Sequence, residues 1–62
     1  MLIHFTDSST NNSIAVNLNQ LVCIFTVEEE GVEKTILNML NGNLAIKESY
    51  LEAVGRINGE MK

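Results

Sequence analysis

Cys23 and His4 are the one pair of side chains in this sequence with the chemistry of a nucleophile and its base. A thiol reacts as its thiolate, which requires a base within hydrogen-bond reach and a further group that orients the base. Cys23 stands in the middle of Leu21-Val22-Cys23-Ile24-Phe25-Thr26-Val27, the most apolar segment of the chain. Burial in such a segment raises a thiol's pKa and leaves it inert, so Cys23 reads as a core residue. His4 reads as a surface or interface residue of a terminal strand. Since no acid, base and nucleophile converge in the sequence, no residue is assigned a catalytic role and the expectation is a protein that is not an enzyme.

Two polar clusters remain. Glu28, Glu29, Glu30 and Glu33 gather four carboxylates, but acids in a row point in different directions and lack the alternating ligands of a calcium loop. One histidine and one cysteine cannot close a four-ligand zinc site within one chain. No metal or cofactor is expected; the acidic cluster is read as a solvated connection and as a candidate binding surface for a basic protein partner. Residues 7–13, Asp7-Ser8-Ser9-Thr10-Asn11-Asn12-Ser13, compete for backbone hydrogen bonds and favour a turn. The same hydroxyls and amides make Asp7, Ser9, Thr10, Asn11 and Asn12 a candidate site for a small polar or nucleotide-like ligand. Asn11-Asn12-Ser13 has the form of a glycosylation acceptor and is read as part of the turn. The four glycines are isolated, so no phosphate-binding loop is present.

The elements that would carry these residues are strands, then a helix. Residues 2–6 alternate Ile3 and Phe5 with Leu2 and His4, a strand pattern that opens at Met1. Residues 14–16 resume strand character after the polar turn, and Asn17-Leu18-Asn19-Gln20 makes a corner. Residues 21–27 are β-branched or aromatic on both sides of the pleat, so both faces of that strand call for burial, with Leu21, Cys23, Phe25 and Val27 on one and Val22, Ile24 and Thr26 on the other. Residues 35–40 and 43–47 flank Asn41-Gly42, the pair that suits a type I′ two-residue turn. Ser49-Tyr50-Leu51-Glu52 has the form of a capping box and predicts a helix over 49–58, with Leu51, Val54 and Ile57, and Ala53 and Tyr50 beside them, as its apolar stripe, Glu52 and Arg56 in water, and Gly59 as its terminator. Gly55, inside that helix, marks a place of close approach to a strand or a neighbouring chain.

Sixty-two residues at 45% apolar and 19% charged make one small domain, residues 1–62, whose core is thin. A net charge of -4 removes the basic patch that neutralises phosphates, so nucleic acid is not an expected partner. No signal-peptide pattern and no run of membrane-spanning length is seen, which predicts a cytoplasmic protein without a membrane span. A lone thiol excludes an internal disulfide and agrees with a reducing compartment. With disulfides and zinc removed as staples, oligomerisation is the remaining source of stability. One helix covers one face of a sheet and cannot cover two, so Val22, Ile24 and Phe25 are candidates for a symmetric interface between copies.

Four words of the sequence, Met1-Leu2-Ile3-His4-Phe5-Thr6, Val16-Asn17-Leu18-Asn19-Gln20-Leu21, Leu40-Asn41-Gly42-Asn43 and Ile46-Lys47-Glu48-Ser49, resemble those of the FlbD family of small flagellar proteins, which includes SwrD. The resemblance covers nearly the whole chain and rests on strands, turns and a helix cap. Leu18 stands where that family usually carries proline, and Asn43-Leu44-Ala45 replaces its basic residues after the hairpin glycine. What the resemblance implies is support of the flagellar motor. The carbon storage regulator family is similar in length, in the Met-Leu-Ile start and in its five-strand-plus-helix plan. Its RNA-contacting arginines have no counterpart here, where Arg56 is the sole arginine.

These readings converge on a mainly β (α+β) fold, a small antiparallel sheet or partly open barrel of about five strands with one C-terminal helix. The expected function is a small acidic cytoplasmic homo-oligomeric protein-interaction module with an accessory or regulatory role, presenting its acidic loop or a sheet edge to a partner. The alternative is a phage-type counter-defence protein that sequesters a small polar ligand between subunits.

Overall fold

The computed structural model describes residues 1–61, with side chains through Gly59. Five strands form two antiparallel sheets, with a single helix after them. β1 (Leu2–Thr6) pairs with β2 (Ser13–Asn17), Ile3 opposite Val16 and Phe5 opposite Ile14. A 3-10 turn (Leu18–Gln20), opened by the Asn17 side chain accepting from the Asn19 N–H, turns the corner into β3 (Leu21–Glu29). β3, β4 (Val32–Met39) and β5 (Gly42–Ile46) follow as a meander. Both sheets are open, and no closed barrel forms among the described residues. The sheets touch where Asp7 bridges Ile46, with the Ser8 N–H donating to the Ala45 carbonyl and the Lys47 N–H to the Thr6 carbonyl.

Two hairpin turns exchange the roles expected of them. Glu29 pairs with Val32 across Glu30 and Gly31, whose φ angles of 52° and 79° give the positive-φ pair that a type I′ turn requires. The solvated acidic connection is therefore a tight two-residue turn. At the second hairpin Met39 pairs with Gly42, so the two loop residues are Leu40 and Asn41 and not Asn41 and Gly42. Neither has a positive φ, while Gly42 at 140° takes the glycine-favouring conformation as the first residue of β5.

A register shift between Leu21 and Cys23 decides which side of β3 faces inward. Val22 is the extra residue of this bulge and is exposed, and the residues after it change faces relative to a regular strand. Ile24 lies opposite Leu37, and Leu37 opposite Leu44, which together turn toward the core. Phe25, Ile36 and Ala45 are aligned on the other face. Cys23 shares that outer face and is exposed, which corrects its expected place in the core.

The core gathers Ile3, Phe5, Val16, Leu37, Ile46 and Ala53, with Ile14, Leu18, Leu21, Ile24, Met39, Leu44 and Ile57 packed against it. The valine, leucine, isoleucine and phenylalanine side chains among these contribute about 1.5–3 kcal/mol each where fully buried. The helix α1 (Tyr50–Met61) starts where the capping residues place it: the Glu52 N–H donates to Ser49 Oγ at 3.2 Å and the Ala53 N–H to the Ser49 carbonyl at 2.9 Å. It continues through Gly59 instead of ending there. Its inward face is Ala53 and Ile57, four apart, whereas Leu51 is 81% exposed. The inward face thus keeps Ile57 and turns toward Ala53, leaving Leu51 outside it. Nothing lies within 4 Å of a Cβ built on Gly55, so no strand approaches it closely among the described residues. None of the described helices is long and apolar enough to cross a membrane.

Candidate functional site

The β3–β4 hairpin carries the acidic cluster. Pairing of β4 with β5 ends at Thr35 opposite Ile46, whereas pairing of β3 with β4 continues through Val27–Lys34, Glu28–Glu33 and Glu29–Val32. Past β5 the hairpin is therefore a two-stranded ribbon with the type I′ turn at its end. Glu28, Glu29, Glu30 and Glu33 are all exposed on it. Glu28 and Glu33 sit directly opposite each other, a like-charge pair that a cross-strand neighbour position disfavours. Glu29 belongs to the opposite face with Val27 and Lys34, and Glu30 occupies the turn. The four carboxylates thus divide between two faces and a tip, which suits an extended basic surface better than a point cation. Among the described residues no three His, Cys, Asp or Glu side chains gather where they could hold a metal ion.

The loop of residues 7–13 is organised around Asp7. Its Oδ1 accepts from the Ser9 N–H at 3.4 Å, its Oδ2 accepts from Thr10 Oγ1 at 2.8 Å, and Ser9 Oγ lies 3.3 Å from both oxygens. The Thr10 hydroxyl, foremost, holds the Asp7 carboxyl below its ordinary value; loss of hydration opposes it, and the Ser9 donors and the Thr10 backbone N–H add to the lowering. The Asn12 N–H donates to Thr10 Oγ1, and Asp7 exchanges backbone hydrogen bonds with Asn11 and Asn12. Asn11 takes a φ of 64°, a conformation asparagine tolerates better than most residues. Asp7, Ser9 and Thr10 are thus engaged with one another, and the Asn11 and Asn12 side chains are exposed. A cleft of about 450 Å³ between β2 and the β4–β5 turn, bordered by Asn17, Gln20 and Asn43, includes none of these loop residues.

The three candidate interface residues are separated by the bulge in β3. Val22 is 59% exposed at the bulge, Ile24 packs against the core, and Phe25 is half-buried on the outer face. His4 is exposed on β1 beside Arg56, in the other sheet from Cys23.

Sequence reasoning missed a clamp between the first strand and the helix. Glu48 Oε1 accepts from the Thr6 N–H at 2.9 Å, and its Oε2 accepts from Thr6 Oγ1 at 3.0 Å and from Arg56 Nη1 at 3.1 Å. Arg56 Nη1 also donates to the His4 carbonyl at 2.9 Å, and its guanidinium lies 5.7 Å from the centre of the Phe5 ring, within cation–π range. Burial pushes the Glu48 carboxyl up, but the Thr6 and Glu48 backbone N–H groups, the Thr6 hydroxyl and the Arg56 charge outweigh it and hold the carboxyl below its ordinary value. No local pattern signals it, since Glu48 lies two residues before the helix and Thr6 ends a strand more than forty residues earlier. This clamp is structural: both Glu48 oxygens are engaged by Thr6 and Arg56, and no buried side-chain nitrogen or oxygen lacks a partner among the described residues.

No family model, no curated protein and no solved structure matches the chain.

Proposed function

We propose that this chain is a protein-interaction module, a small acidic homo-oligomer that offers the β3–β4 ribbon to a basic segment of a protein partner. The observation that carries the reading is the projection of the ribbon past β5, with Glu28, Glu29, Glu30 and Glu33 exposed on a turn whose backbone is held by hairpin geometry. Fixed carboxylates of one sign guide a basic partner during encounter and set its orientation more than they set final affinity. The internal bonding of Asp7, Ser9 and Thr10 favours this reading over ligand capture by the first loop. The resemblance to FlbD-like proteins would make the setting the flagellar motor, and the lone thiol fits a cytoplasmic one.

The test is affinity capture from the producing cells at low and high salt, with wild type compared with a Glu30→Lys, Glu33→Lys double variant. Reversing Glu33 turns the Glu28–Glu33 pair into an attractive one, so the fold is expected to persist. A partner lost both in the variant and at high salt is the expected result. Capture that neither change weakens would overturn the reading.

A further inference from the structure

We propose that the free edge of β2 takes an extended, uncharged segment of a partner protein as a third strand, laid in the cleft between β2 and the β4–β5 turn. The inference rests on the protein-interaction part of the functional reading and gives a sheet edge a binding role separate from that of the ribbon. Hydrogen bonds at the two ends of the β1–β2 hairpin fix which way its backbone points: the Asp7 N–H donates to the Asn12 carbonyl at 2.9 Å and the Leu18 N–H to the Met1 carbonyl at 3.0 Å. Bonded and non-bonded pairs alternate along an antiparallel ladder, so between those ends it is Ile14 and Val16 that bond to β1. Ser13 and Ala15 therefore aim both N–H and carbonyl, and Asn17 its N–H, away from β1. No strand among the described residues pairs with that edge.

The opposite bank of the cleft repeats the pattern. Ala45 turns its carbonyl away from β4 to accept the Ser8 N–H at 3.1 Å, so Asn43, two residues earlier on β5, also points its N–H and carbonyl off the sheet. Ala15, Asn17 and Asn43 all border the cleft, whose volume of about 450 Å³ suits a short stretch of chain. Its floor is apolar, built by Val16, Met39 and Leu44 at the margin of the core, and among the described residues no charged side chain lines it. Neither a charge nor a proline stands in Ser13–Asn17, although these are the devices that keep an edge strand solitary.

Main-chain donors and acceptors at strand spacing are complementary to another extended backbone, the mode in which a peptide augments a sheet edge. An apolar floor below the exposed Gln20, Asn41 and Asn43 suits a strand that alternates aliphatic with hydroxyl or amide side chains. The acidic ribbon lies at the other end of β4, about 25 Å away, so its carboxylates do not select what enters here. A second copy of the chain could offer its own β2, but that strand arrives with its own β4–β5 turn beside it, and two turns then crowd one cleft. A single strand of a partner carries no such neighbour.

The probe is a fluorescein-labelled heptapeptide alternating threonine and valine, with blocked ends, titrated with the full chain and followed by anisotropy. A dissociation constant of about 100 μM is expected, together with slowed hydrogen exchange at the Ala15 and Asn17 amides. Ala15→Pro deletes one outward N–H and leaves the ladder to β1 intact, and is expected to weaken binding about ten-fold or more. Ala15→Thr keeps that N–H and is expected to bind within about two-fold of wild type. The same peptide methylated at its backbone nitrogens is expected to lose binding, which reads the edge even if Ala15→Pro fails to fold. No binding up to about 1 mM would overturn the inference. Equal binding of the methylated peptide would also overturn it, by showing a pocket for side chains or a small polar molecule. A wild-type dimer that Ala15→Pro dissociates would assign the edge to a second copy instead. The Glu30→Lys, Glu33→Lys double variant is expected to bind the peptide as wild type does, so failure of the ribbon reading and failure of this one are told apart.

Discussion

Glu48 shows how one side chain can join elements far apart in sequence. Its carboxylate receives the Thr6 N–H, the Thr6 hydroxyl and Arg56, so its charged form is favoured by folding. The folded pKa lies below the ordinary value of 4.5, so the unfolded chain binds the proton more readily. The stability this adds is complete above the unfolded value and is lost as pH falls through the folded one. Replacing Glu48 with Gln is expected to cost about 1–2 kcal/mol at pH 7, because a charge-assisted bond to the Thr6 N–H becomes a neutral one. Urea titrations across pH 3 to 7 check this. The variant should also flatten the slope below about pH 4.5, and an unchanged slope would show that the carboxylate is not held in its charged form. Nothing local announced this contact. Glu48 precedes a helix cap and Thr6 ends a strand, and only tertiary folding brings them together.

At the scale of elements, the strands and the helix start were legible, and their orientation was less so. Alternation marked β1, the β-branched run marked β3, and Ser49 marked the first turn of α1. The faces of β3 were hidden because one inserted residue at Val22 reverses every side chain after it. The helix face was legible at Ala53 and Ile57, but Leu51, the larger residue, was placed inward with them and is exposed. The turns were misread by composition: Asn41-Gly42 has the more favourable residues for a type I′ turn, yet Glu30-Gly31 adopts it. A contrasting pair of substitutions follows from these backbones. Gly31→Ala, at a φ of 79°, is expected to cost about 1–2 kcal/mol. Gly55→Ala meets nothing within 4 Å and is expected to gain about 1 kcal/mol from helix propensity. Thermal melts of the two variants should move in opposite directions, and a shared direction would contradict one of the two backbone assignments.

For the whole molecule, the limiting quantity is the small number of buried side chains. Leu37 is fully buried at the centre of β4, between Ile24 on one neighbouring strand and Leu44 on the other, and faces the helix through Ala53. Leu37→Ala is expected to cost about 2–5 kcal/mol, comparable to the entire stability of a domain this size. Circular dichroism should then show a largely unfolded chain at 25 °C, and a cooperative melt near that of wild type would contradict the central place given to Leu37. The acidic and polar surface clusters could be listed from composition alone, but their separate geometries could not. Residues 28–33 are placed by a hairpin that outruns its neighbour β5, and residues 7–13 are tied to Asp7.

The junction of the two sheets also sets an order of events during synthesis. β3, β4 and β5 are linked by two-residue turns and can pair soon after they leave the ribosome, since closing short loops is fast. β1 precedes these strands in the chain, but it docks through Lys47 and Glu48 and is secured by Arg56, all made later. β1 can pair early with β2, but its anchors to the second sheet and to the helix close only later. Until the helix emerges, Ile3 and Phe5 have no Ala53 to close over them. In pulse-labelled hydrogen exchange during refolding, the Thr6 amide should gain protection after the amides of β4.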